Sequence, residues 1–97
     1  MSIVLDGANF DGMILTGIDF SQVSLRGVSL HAANLMNADL SFANLSGANL
    51  VEADLINAKL EGAILTGANL YEADLLGADL TNARYSPEDL KGALHCP

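Results

Sequence analysis

Every fifth residue of this chain is large and apolar. From Leu5 to Tyr85, all seventeen positions whose number divides by five are Leu, Phe or Tyr. Two residues before each of these, from Ile3 to Ala83, all seventeen are apolar as well, and twelve are Ala. The nine glycines, from Gly7 to Gly92, all fall two residues after the large apolar position. A repeat this strict leaves the chain few ways to fold.

An amphipathic helix is not one of them. Its apolar stripe recurs at three and four residues, whereas a step of five advances the face by about 140° and smears the Leu and Ala sets around the cylinder. A long strand fails too, because side chains alternate with period two and an odd repeat reverses the faces at each quintet. A short strand with a corner satisfies the pattern. In Ala48-Asn49-Leu50 the first and third residues point inward and the middle one outward, and two corner residues, such as Ser46-Gly47, reset the register. Glycine and asparagine collect at the second corner position, which tolerates unusual backbone angles. Repeated corners coil the chain into a solenoid whose turns pair at about 4.8 Å.

The coil length leaves its own trace. A twenty-residue coil stacks Gly7, Gly27, Gly47 and Gly67 along one corner, and Asn9, Ser29, Asn49 and Asn69 on the next face. A fifteen-residue coil instead aligns Gly17, Gly47, Gly62 and Gly77, with Ala32 breaking the row. Spacing favours the first without excluding the second.

The quintets Ala38-Asp39-Leu40, Ala53-Asp54-Leu55, Ala73-Asp74-Leu75 and Ala78-Asp79-Leu80 closely resemble those of the pentapeptide-repeat family, and the resemblance runs over residues 3–85. It implies an all-β solenoid, a right-handed quadrilateral parallel β-helix of about four coils with twenty residues per coil. A leucine-rich repeat is a poor competitor, because its period is 20–29 residues with unequal leucine spacing.

The reading divides the chain into a β-helix over residues 1–85 and a C-terminal helical cap and tail over 86–97. Ser86-Pro87-Glu88-Asp89 has the marks of a helix start, with Ser at the N-cap, Pro at the first position and acids in the first turn. Leu90, Ala93 and Leu94 would share one face of that helix and lie over the last coil. The opposite end has no such cover. Ile3, Leu5, Phe10, Met13, Ile18 and Phe20 make its first inward layer bulkier than the rest, which suits either a plug or a stacking surface for another subunit.

Composition bounds the chemistry. Fifty-one per cent apolar and 16 % charged residues describe a folded chain of one domain. Twelve acids against four basic residues give a net charge of −8, which argues against direct contact with nucleic acid or anionic lipid. No apolar run exceeds three residues, so neither a membrane span nor a secretory signal is expected. The single cysteine, Cys96, fits a reducing, cytoplasmic setting.

No catalytic constellation, cofactor motif or metal set is expected. His31 and His95 lie far apart in sequence, and no spaced Cys/His cluster or phosphate-binding glycine loop occurs. The outward acids read as solvated wall residues, with Lys59 placed between acids in the row Asp19, Asp39, Lys59 and Asp79.

Folded at twenty residues per turn, Met36, Ile56 and Leu76 form an outward apolar column, and Val51 and Tyr71 a second one. These columns and the open first coil point to a non-enzymatic structural or protein-interaction module. Its partner would be a protein, either a second copy or another repeat chain stacked at the N-terminal end. The alternative follows from the resemblance: some family members are acidic rods that mimic DNA and inhibit a type II topoisomerase (DNA gyrase). A rod about 20 Å tall matches only about six base pairs, and the family's mimics are longer.

Overall fold

The structure, a computed structural model, describes residues 2–97. One quintet explains the rest. Ala48 and Leu50 point inward and are sealed from solvent, at 1 % and 0 % exposure. Between them Asn49 faces out and pairs in parallel with Ser29 on one side and Asn69 on the other. Val51 and Glu52 then turn the corner, closed by the Ala53 N–H donating to the Leu50 carbonyl at 3.0 Å. Glu52 has φ of +60° while Val51 does not have positive φ, as a type II turn requires.

Each quintet is tied to its neighbours in the stack. Leu50 N–H donates to the Asn69 carbonyl at 2.8 Å and Glu52 N–H to that of Tyr71 at 2.9 Å. Asn49 N–H reaches back to Val28 at 2.9 Å. The same three bonds recur along the chain, and the parallel pairs run from Val4 with Ser24 to Asp74 with Leu94, always twenty residues apart. That offset holds four quintets, so a coil has four short strands and four corners. It decides between the two coil lengths that spacing alone left open.

Leucines fill the tube. Leu25 through Leu75 are all fully buried at every fifth position, and the Ala set from Ala33 to Ala73 is equally enclosed. Burial of each Leu contributes about 1.5–3 kcal/mol before conformational entropy is subtracted. In the first coil the inward set is less protected: Leu5, Phe10, Leu15 and Ile18 are only partly buried against the core. Phe10 and Phe20 meet there with ring centroids 5.7 Å apart and planes tilted by 47°, an aromatic pair filling the end of the tube.

The expected C-terminal helix does not form. Pro87–Leu90 make a single 3-10 turn, after which the chain returns to the repeat. Gly92 takes the corner slot at φ of +77°, and Ala93 N–H closes the corner onto Leu90 at 3.1 Å. Leu94 then joins the ladder, accepting from Leu75 N–H at 2.9 Å and donating to Ala73 at 2.8 Å. Leu94 is therefore an outward residue, 45 % exposed, rather than part of a helical face over the last coil. The quintet register, carried by Leu90, Gly92 and Ala93, overrides the helix-start signal. Within the turn, Asp89 accepts from Ser86 N–H at 2.8 Å and from Gly67 N–H at 3.1 Å, sealing a corner of the preceding coil.

Candidate interaction surfaces

The outward aspartates and asparagines are more than solvated walls. From Asn9 to Asp79, all ten Asn and Asp residues at the middle strand position accept the backbone N–H two residues ahead, at 2.8–3.1 Å. Each side chain thereby caps the corner that follows it, an Asx turn. Where the slot holds serine, an aspartate one coil earlier does the same work. Asp6 accepts from Arg26 N–H and the Ser24 hydroxyl, and Asp11 from His31 N–H and the Ser29 hydroxyl. With Asp89, every one of the eight aspartates accepts a backbone N–H.

These bonds hold the pKa of several carboxyls below the usual value. The Ser24 hydroxyl, followed by Arg26, holds Asp6 down. The hydroxyls of Ser21 and Thr81 do so for Asp19 and Asp79. His95 lowers Asp74, and the Ser86 N–H lowers Asp89.

The two apolar columns stand where twenty-residue coiling puts them. Asn37 N–H donates to the Ile56 carbonyl and Asn57 N–H to that of Leu76, each at 2.9 Å, which aligns Met36, Ile56 and Leu76 along one corner. Ala32 N–H to Val51 and Glu52 N–H to Tyr71, also at 2.9 Å, align the second column. Leu76 and Tyr71 are exposed, and Met36, Val51 and Ile56 half-buried. Tyr71 also walls a shallow depression of about 570 Å³, shared with Asn69, Asp89 and Lys91.

At the first coil, Ile3 and Met13 are exposed, Leu5, Phe10 and Ile18 half-buried, and Phe20 buried. The largest exposures there belong to residues that periodicity did not single out: Val4 at 63 % and Ile14 at 82 %. Both occupy the outward slot that most often holds Asn or Asp, and that mismatch was a readable signal. Phe42, 57 % exposed at a corner, was likewise missed. Among the described residues, no group of three or more His, Cys, Asp or Glu is placed to hold a metal ion. No helix among them is long and apolar enough to cross a membrane.

Parallel rungs at a fixed twenty-residue offset, four corners per coil and a Leu/Ala core define a four-sided β-solenoid. The profile described as Pentapeptide repeats matches in 8 copies, over residues 4–41, 14–50, 33–70 and 48–84. The chain belongs to the pentapeptide-repeat family, whose members form right-handed quadrilateral β-helices and are generally structural rather than enzymatic. A pentapeptide-repeat protein from the Arabidopsis thaliana thylakoid lumen is similar to it, with 35% identity and a TM-score of 0.82 over 95% of this chain and 60% of that one. Another, from Nostoc Pcc 7120, has 35% identity and a TM-score of 0.59, over 94% of this chain and 78% of its own. The chain thus spans less than two thirds of the thylakoid protein. No curated protein matches it.

Proposed function

We propose that the chain is a non-enzymatic interaction module that holds a protein partner against its first coil. The observation that carries this reading is the concentration of exposed apolar side chains there: Ile3 60 %, Val4 63 %, Met13 47 % and Ile14 82 %. Beside them the N–H groups of Val4, Asn9, Ile14 and Asp19 have no backbone partner among the described residues, although the equivalent groups of Ser24, Ser29, Asn34 and Asp39 all bond to the preceding coil. Unpaired rungs beside apolar side chains are a template for another strand layer. A second copy, another repeat chain, or further coils of a longer solenoid all supply that layer. No cofactor enters this reading.

Light scattering on the chain and on Ile14→Asp and Phe10→Asp variants tests the homotypic form. Self-association that the variants abolish supports it, and a concentration-independent monomer in all three removes it. Affinity capture from native extract, wild type against Ile14→Asp, tests the heterotypic form; no protein lost with the variant would remove that too.

The alternative, a DNA-mimicking inhibitor of DNA gyrase, has less support. All eight aspartates already serve as backbone acceptors, so much of the charge of −8 has a structural role. The charge is also lopsided: the outward row Val4, Ser24, Asn44, Ile64 and Arg84 holds no acid, and its nearest carboxylates are Asp6 and Glu61 at its edges. A supercoiling assay without inhibition at high protein concentration would eliminate it. A cytoplasmic setting suits the exposed, unpaired Cys96. One relative resides in the thylakoid lumen, so fractionation is the direct check.

A further inference from the structure

One side of the solenoid differs from the other three. Its outward row runs Ile14, Asn34, Asp54, Asp74 and Leu94. The two apolar columns lie along its two edges, Val51 and Tyr71 on one and Met36, Ile56 and Leu76 on the other. Between these edges the carboxylates of Asp54 and Asp74 form a central stripe. One oxygen of each caps a corner, at 3.0 Å to Ile56 N–H and 3.1 Å to Leu76 N–H, and that of Asp74 also meets His95 Nδ1 at 2.9 Å. The second oxygen of each has no hydrogen-bond partner among the described residues. Glu52 and Glu72 add charge along the Val51–Tyr71 edge. Tyr71 and Leu76 are 53 % and 52 % exposed, so the apolar edges are open.

We propose that this face docks an amphipathic helix of a partner protein, lying along the solenoid axis with a lysine/arginine stripe over Asp54 and Asp74 and apolar side chains on both flanks. The proposal rests on the interaction-module reading and assigns it a second surface and a partner chemistry. Apolar edges exclude water from the contact, while the carboxylates select a cationic stripe between them. Spacing selects the helix. Successive rungs are about 4.8 Å apart. Helical residues at i and i+3 or i+4 are separated by about 4.5–6 Å along the axis, so a basic stripe keeps step with the rungs. An extended peptide repeats its side chains every roughly 6.7 Å and falls out of register.

The neighbouring acidic face does not offer the same fit. Its row of Asp19, Asp39, Lys59 and Asp79 places a cation at the centre, where Lys59 would repel a basic stripe. Only the Met36, Ile56 and Leu76 edge carries an apolar column there; the other edge holds Ser41, Glu61 and Thr81, with Phe42 a single exposed apolar side chain among them.

The test is fluorescence anisotropy with a labelled synthetic helix of about 18 residues, roughly 27 Å long, built from Leu, Ala and Lys with the lysines in one stripe. Wild type should bind it and bind a scrambled peptide of equal composition far more weakly. Tyr71→Ser/Leu76→Ser should weaken binding by about tenfold or more. Asp54→Asn/Asp74→Asn should do the same, because asparagine keeps the oxygen that caps each corner and that faces His95 at position 74, while the charge is lost. A control pair on the neighbouring face, Asp39→Asn/Asp79→Asn, removes equal charge and should change binding by less than about twofold. Thermal melts check that each variant is folded. Absence of wild-type binding, equal binding of the scrambled peptide, an equal loss in the control pair, or no loss in the face variants would each overturn the proposal. The first coil is untouched by these substitutions, so such a failure leaves its own light-scattering and capture tests standing.

Discussion

The ring of Phe42 lies on the α-carbon of Gly62, the residue stacked against it one coil further along. A Cβ at Gly62 would collide with the Phe42 ring carbons, whereas one at Gly47 would meet nothing within 4 Å. Both glycines have positive φ, +65° and +67°. Replacing either by alanine costs about 1–2 kcal/mol for the left-handed backbone, and Gly62→Ala has the ring to displace as well. Gly62→Ala should therefore lower the denaturation midpoint more than Gly47→Ala does. In a Phe42→Ala background the two should converge, and a persistent gap would show that the ring is not its cause.

Asn49 caps its corner through a 3.0 Å bond from Val51 N–H. Asn49→Ala removes that acceptor and should destabilise by about 0.5–1.5 kcal/mol. Asn49→Asp keeps it and should melt close to wild type at neutral pH. Equal losses in both variants would mean that the amide, not the acceptor oxygen, is what the corner needs.

Acid should unfold the chain through the same bonds. Asp6, Asp19, Asp74, Asp79 and Asp89 are each held below the ordinary value of 3.8 in the folded state. A depressed folded value means that the unfolded chain binds protons more readily. The stabilisation is therefore fully present above about pH 4 and disappears as pH falls through the folded values. Melting temperature should be level near neutrality and drop in acid. Asp79→Asn keeps an acceptor for Thr81 N–H and no longer titrates, so its acid limb should be shallower. An unchanged limb would remove Asp79 from the account.

Ala53 is 1 % exposed, in the same inward stack as Ala33, Ala73 and, at the open end, Met13. Ala53→Leu should overpack the tube and destabilise by about 1–3 kcal/mol. Met13 is 47 % exposed, so Met13→Ala should cost much less than truncation of a buried side chain. Urea denaturation of both variants compares the middle of the stack with its end, and an unaffected Ala53→Leu melt would place Ala53 outside the core.

Much of the architecture was legible because the inward sets are periodic. Leu40, Leu45 and Leu50 lie at 0 % exposure, where a five-residue register puts them. The capping role of the outward aspartates was hidden by reading charge before shape. The signal was nonetheless present: the outward slot holds Asp and Asn freely but no Glu or Gln, whose longer side chains overshoot the corner. The C-terminal turn misled because Ser86-Pro87-Glu88-Asp89 carries a true local start signal, while the competing register depends on contacts with Ala73 and Leu75, distant in sequence. Phe42 was not legible, because a bulky aromatic residue at φ of +59° goes against the Gly and Asn preference of the left-handed corner position, which Gln22, Ala32, Glu52 and Glu72 also break. The two apolar columns, by contrast, follow from the coil length alone.

Because rung partners are always twenty residues apart, the inside and outside of this molecule obey different arithmetic. Duplicating one quintet would leave the Leu and Ala sets undisturbed, since any quintet fits any side. Everything downstream would nevertheless rotate by a quarter turn. Tyr71 and Leu76 would leave their columns while the tube stayed intact, so a small insertion could erase or create a patterned flank without touching the scaffold that carries it.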